Sequence, residues 1–197
     1  MRSPLRMTVL VAAGVVCLAG VAGAADVELV GQLGQDFHLF SKQEYHGYRN
    51  GALGVVISPE GWKGFGFELR GERIWGTIEL GDDQIPPGWD GTSPRTTDLD
   101  HWMAGVMPLW RGRIWKGLEL EGGIGMTWLS RDILVDGSRW NFLLMAGLRW
   151  RFTGGEHPLA VGLRFEHFSN GGDIGFTDDA VIGLESIALA VSWRFGG

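Results

Sequence analysis

The chain has 197 residues, with 17 basic and 23 acidic side chains for a formal charge of −6, and a single cysteine, 33 glycines and 10 tryptophans. That length is one domain's worth, and an acidic chain with no basic run does not suit nucleic acid as a partner. Beyond residue 24 there are no 18 uninterrupted apolar residues, which excludes a helical membrane span.

At the N-terminus, Arg2 and Arg6 precede an apolar, small-residue run from Met7 to Val21, and Ala22-Gly23-Ala24 has the A-x-A form of a cleavage site. The pattern predicts a secretory signal over 1–24, leaving a domain of 173 residues (197 less 24) over 25–197, with 15 basic and 23 acidic groups, or about −8. Cys17 lies inside the apolar run and follows Val16, not the small residue that lipidation wants. The exported part therefore has no cysteine, and forces other than disulfides hold it.

From residue 25 onward the apolar residues alternate with a period of two. Val27, Leu29, Leu33 and Phe37 share one parity, against Glu28, Gln32, Asp36 and His38. From 48 to 111 the alternation is less clean. It returns with Ile114, Leu118, Leu120, Ile124, Met126 and Trp128, which oppose Glu119, Glu121 and several glycines. Next, Trp140, Phe142, Leu144, Ala146, Leu148, Trp150 and Phe152 oppose Arg139, Asn141, Arg149 and Arg151. Leu159, Val161, Leu163 and Phe165 oppose Ala160, Gly162, Arg164 and Glu166, and Ile187, Leu189, Val191, Trp193 and Phe195 oppose Ser186, Ala188, Ala190, Ser192 and Arg194. This is the periodicity of strands rather than helices.

Eight strands are predicted, at about 26–39, 49–57, 64–80, 98–110, 114–130, 138–152, 158–169 and 183–195. The connections near 40–48, 81–97, 131–137 and 170–182 are long and polar, whereas those near 58–63, 111–113 and 153–157 are short. Short turns on one side, long loops on the other and an even strand count are the marks of an outer-membrane barrel. A secreted barrel of the lipocalin type would carry its bulky apolar residues inside and its polar ones outside. Here one face is bulky, and the other carries small residues and charges able to pair in a narrow lumen, among them Glu119, Glu121, Arg149, Arg151, Arg164 and Glu166. Aromatic residues near strand ends (Trp128, Trp140, Trp150, Phe152, Trp193, Phe195) suit interfacial girdles. The expected fold is an all-β, eight-stranded antiparallel transmembrane barrel in a Gram-negative outer membrane.

The seventh strand ends in His167-Phe168-Ser169-Asn170. Residues i and i+2 share a side of a strand, so an imidazole and a hydroxyl are neighbours. Both continue the parity of Leu163 and Phe165, the lipid-facing set, and Glu185 likewise continues that of Ile187 and Leu189. All three fall beside the long loop at 170–182, near the external rim. Ionisable groups on a lipid face are costly, and a base, a hydroxyl and an acid are the parts of an activated serine nucleophile. In that reading Ser169 attacks, His167 is the general base and Glu185 orients it, while Asn170 and the amides of Gly171 and Gly172 hold the oxyanion. The alternative is a wet polar rim in which His167 is only an interfacial side chain.

The stretch Arg164-Phe165-Glu166-His167-Phe168-Ser169-Asn170-Gly171-Gly172, followed by Gly183-Leu184-Glu185-Ser186, resembles the lipid A 3-O-deacylase family typified by PagL. The resemblance covers roughly the C-terminal 80 residues well, including Gly122 to Ser130 and Arg149-Trp150-Arg151-Phe152. It implies that Ser169, His167 and Glu185 occupy the nucleophile, base and acid positions. It also implies a carboxylic ester hydrolase that removes the 3-position acyl chain of lipid A, or lipopolysaccharide, in the outer leaflet, with no cofactor or metal. Two other readings remain: a phospholipase or acyltransferase using the same residues, and a non-catalytic structural barrel working through the 81–97 loop. Asp98, Asp100 and His101 are weighed as a metal site but fit solvated loop charges better. Asp178-Asp179 has no EF-hand pattern around it, and Ser186 and Ser192 have lumen parity, which suits them poorly as nucleophiles.

Overall fold

The computed structural model describes residues 25–37, 45–79, 96–131, 139–152, 159–169 and 183–195. The signal expected over 1–24 lies outside the described residues, as does nearly all of the 81–97 loop. The alternating segments form eight strands: β1 (Ala25–Asp36), β2 (Tyr45–Pro59), β3 (Phe65–Glu79), β4 (Thr96–Trp115), β5 (Leu118–Leu129), β6 (Trp140–Arg151), β7 (Leu159–Ser169) and β8 (Leu184–Phe195). Each pairs with its neighbour in sequence, and β1 pairs antiparallel with β8, which closes the barrel. Closure leaves no strand edge unpaired, as a membrane requires.

Two boundaries differ from those expected. Strand β2 begins at Tyr45, in what reads as a loop. Strand β4 runs straight through 111–113, expected as a turn, and the chain reverses at Lys116-Gly117 instead. Lys116 takes φ of 35°, and the Gly117 carbonyl accepts the Arg151 amide at 2.7 Å. The charge at Arg111 reads as turn chemistry in the sequence, but its guanidinium points into the lumen and meets Glu28 and Glu121, each at 3.2 Å.

Facing outward are large apolar side chains such as Leu33, Ile124, Leu163 and Leu189, each more than half exposed. Trp128, Trp140, Trp150, Phe152, Trp193 and Phe195 are exposed near the strand ends, as girdle residues should be. The lumen is filled by an ion-pair network. Arg149 reaches Glu28 at 2.7 Å, Arg151 reaches Glu119 at 3.0 Å, and Arg164 donates to Glu121 at 2.7 Å and meets Glu68 at 3.0 Å. Arg70 meets Glu166 at 2.6 Å, and Gln32 and Asn50 donate amide hydrogens to Glu166 and Glu72, both at 2.8 Å. Buried charges persist only when paired and hydrogen-bonded like this.

Toward the external end the lumen changes character. Leu99, Met103, Leu129, Leu143, Phe168 and Leu184 are buried there in one apolar cluster. The expectation of a bulky face outside and small or charged residues inside is therefore corrected: at the outer end of the barrel the lumen is packed with an apolar layer, a stopper above the charged one. Such a layer spares the rim from filling every inward position with a matched ion pair.

Candidate functional site

Strand β7 sorts its side chains by parity. Arg164, Glu166 and Phe168 are buried in the lumen, and Phe165, His167 and Ser169 take the opposite, outward side. Register does the rest. His167 lies opposite Glu185 on β8 and opposite Leu144 on β6, while Ser169 lies opposite Phe142. Phe168 and Leu184 face each other on the lumen side within the apolar layer. The dry stopper thus grips the backbone from behind at the residues that flank His167, Ser169 and Glu185.

The imidazole and the carboxylate meet: His167 Nδ1 is 3.1 Å from Glu185 Oε1. Glu185 is completely buried, whereas the His167 side chain is 21 % exposed. This adjusts the expectation of a carboxylate open to lipid. Glu185 takes the outward side by parity, yet none of its surface is exposed. A hydrogen bond to Nδ1 fixes which ring nitrogen faces the carboxylate and leaves Nε2 for another partner. Ser169, two residues on along the same face, is partly exposed. The three expected oxyanion residues, Asn170, Gly171 and Gly172, lie outside the described residues.

Two features of the site were not legible in advance. The first is the space that the ring occupies. A Cβ placed on Gly183 would stand 2.8 Å from His167 Cε1, so the imidazole sits where any larger residue would intrude. The second is Phe37, read in the sequence only as a lipid-facing residue. Its amide donates to the Glu185 carbonyl at 3.2 Å, and its ring meets Phe165 edge-on with centroids 6.3 Å apart. A residue from the start of the chain thus extends the wall at its end, and only the β1–β8 register brings it there.

Beside the site, one residue pair closer to the periplasmic end, a shallow apolar groove of about 970 Å³ runs around the outer wall. Its floor is the paired row Phe165, Ala146, Gly122, Trp110 and Phe65. The small residues Ala146 and Gly122 leave the depression, and Leu144, Ile124 and the aromatic rings wall it. Because the strands are tilted, the row descends from β7 near the external rim to the periplasmic ends of β3 and β4.

The remaining candidates disperse. Ser186 and Ser192 are buried in the lumen, the side expected of them. Asp98 accepts a hydrogen bond from Thr77 and Asp100 pairs with Arg73 on the outer surface, whereas His101 turns inward, so these three do not converge. Among the described residues no three potential ligands come together around a metal. Asp178-Asp179 lies outside the described residues.

Known proteins are similar to parts of this sequence. A family model described as lipid A 3-O-deacylase (PagL) matches residues 64–194. The lipid A deacylase PagL of Bordetella bronchiseptica (strain ATCC BAA-588 / NCTC 13252 / RB50) is 27 % identical over 124 residues, which are 61 % of this chain; the match spans 65 % of that relative's length. Among solved structures, the outer membrane enzyme PagL matches with a TM-score of 0.43 at 20 % identity, covering 86 % of this chain and 98 % of that one. Neisserial surface protein A matches at 0.46 and 12 % identity, covering 86 % and 95 %.

Proposed function

From the premise that this chain belongs to the lipid A 3-O-deacylase (PagL) family, we propose that it is an outer-membrane serine esterase that removes the 3-position acyl chain of lipid A in the outer leaflet. In this reading residues 1–24 direct export and are removed, and 25–197 form the barrel. The observation that carries the reading is the bond between His167 Nδ1 and Glu185 Oε1 at 3.1 Å, on the same outer wall as Ser169. A lumen ion pair would have filled the interior like the others; this one is turned toward the lipid.

On this reading, with Nδ1 held by Glu185, His167 Nε2 takes the Ser169 proton as Oγ bonds to the ester carbonyl carbon. The negative charge on the carbonyl oxygen is met by Asn170 and the amides of Gly171 and Gly172. His167 returns the proton to the sugar 3-oxygen as the carbon–oxygen bond breaks. Water, deprotonated by the same imidazole, then releases the fatty acid and restores the serine. The apolar groove starting at Phe165 and Leu144 supports the same reading, because it offers a bed for an acyl chain beside the nucleophile. A substrate already dissolved in the leaflet reaches this wall by lateral diffusion, so no pocket in the lumen is needed.

The test is to express the protein in a Gram-negative host with hexa-acylated lipid A, and to incubate the purified barrel with lipid A and with phospholipid. Lipid A lighter by one 3-linked acyl chain, with phospholipid intact, is the expected mass-spectrometric result. Phospholipid cleavage without lipid A cleavage would shift the assignment to a phospholipase. No product from either would leave a structural barrel.

Gly183 gives a further expected result. Gly183→Ala puts a methyl group against the imidazole and pushes it off Glu185. Small displacements of catalytic groups cost up to about a hundredfold, and the initial rate should fall by about ten- to a hundredfold while the folded barrel persists on heat-modifiable electrophoresis. An unchanged rate would mean that the ring is not where its chemistry requires it.

A further inference from the structure

The outward face of β8 is open for most of its length, with Leu189 53 % and Val191 44 % exposed, yet Glu185 near its outer end is 0 % exposed. Two aromatic rings stand on the strands to either side. Phe37 extends β1 into register with Glu185 through the amide-to-carbonyl bond at 3.2 Å. Phe165 stands on β7 opposite Ile187. Their rings meet across β8, centroids 6.3 Å apart and planes at 78°. They form an arch over the strand between Glu185 and Ile187.

We propose that Phe37 is a positioning residue: leaning on Phe165, which also begins the acyl groove, it completes an aromatic arch that keeps water and headgroups off the Glu185 carboxylate so that it engages His167. The proposal rests on the roles assigned above to Ser169, His167 and Glu185. Height on the wall makes the arch necessary. Lower down, acyl chains exclude water by themselves, but at the rim a carboxylate would be hydrated by the headgroup layer. Excluding that water strengthens the bond to the imidazole and removes competing partners. The order of residues around the wall separates this role from substrate binding. Phe37, Glu185, His167 and Leu144 succeed one another across β1, β8, β7 and β6, and the acyl groove runs away from His167 in the other direction. Phe37 therefore stands next to Glu185 on the side away from His167, bonded to it through the backbone, and is not part of the groove lining.

Initial rates on lipid A in mixed micelles test this with Phe37→Ala, Phe37→Leu, Glu185→Gln and the double variant Phe37→Ala with Glu185→Gln. Phe37→Ala should lower kcat about tenfold with KM held within about twofold, and Phe37→Leu should restore most of the rate. In the Glu185→Gln background Phe37→Ala should cost nothing further, since residues that act through one another are not additive. Phe37→Gln, which keeps the length but admits water, carries the same expectation if the alanine barrel does not close. The arch is overturned by an unchanged kcat, by a loss carried in KM, or by a full effect in the Glu185→Gln background. Ser169→Ala separates the two levels: if it stays active, the catalytic reading falls and the arch with it; if it is inactive while Phe37→Ala and Phe37→Gln are not impaired, only the arch falls.

Discussion

Ser169→Ala is expected to cut lipid A deacylation by about a thousandfold or more, with the barrel still folded. On the proposed function the serine supplies the oxygen that bonds to the acyl carbon, and removing the nucleophile of such a trio leaves only what binding and oxyanion stabilisation provide. His167→Ala should cost about as much, and the pair of substitutions little more than either, because nucleophile and base act as a unit. Glu185→Gln keeps the shape of the side chain and removes its charge. Its loss should be smaller but still large, since the amide can present a hydrogen to Nδ1 and favour the wrong tautomer. Rates measured on purified barrels in micelles decide the matter, with heat-modifiable migration as the check on folding. Ser169→Ala retaining a tenth of the wild-type rate, or about that, would remove the serine from the mechanism.

Arg164→Met should produce the largest loss of stability. Arg164 is 1 % exposed, donates to Glu121 at 2.7 Å and to Gln32 at 3.2 Å, and meets Glu68 at 3.0 Å. Taking away the cation costs Glu68 and Glu121 a buried partner, although Glu121 keeps Arg111 at 3.2 Å, and breaking a buried pair from one side costs about 3–5 kcal/mol. The midpoint of denaturant unfolding in micelles should fall accordingly, and Glu121→Gln added to Arg164→Met should recover part of the loss. The same barrel without that recovery would mean that Arg164 contributes by packing its stem rather than by its charge. Because the charged layer lies toward the periplasmic side of the site, the rate per folded molecule should change little.

The fold was legible where contrast between faces is sharp. Over 159–166 in β7 and 186–195 in β8 bulky residues alternate with small or charged ones, and the pattern places those strands to within a residue. In β4 the contrast fails, because Arg111 and its neighbours look like turn residues until the lumen is there to receive a charge. The apolar stopper is hidden for a related reason. Leu143 and Met145 alternate with Leu144 and Ala146, so parity separates them but residue type does not. At the site, parity alone puts His167 and Ser169 on one side of a strand. Their pairing with Glu185 depends on the offset across the 170–182 connection, which periodicity does not set and the family pattern supplies. The arch was out of reach altogether. Nothing near Phe37 in sequence hints at Glu185, and only closure of the cylinder makes them neighbours.

That closure has a consequence for when the chemistry begins. β8, which brings Glu185, is the last strand to be synthesised, and β1, which it zips against, is the first. Pairing of β7 with β8 is enough to set the acid opposite the imidazole, but the ring of Phe37 joins Phe165 over β8 only when both ends of the chain have met. On the proposed function, the site of an esterase able to strip lipids is therefore complete only once the two ends of the chain join. The seam that seals the cylinder is also the last piece of the site to be laid.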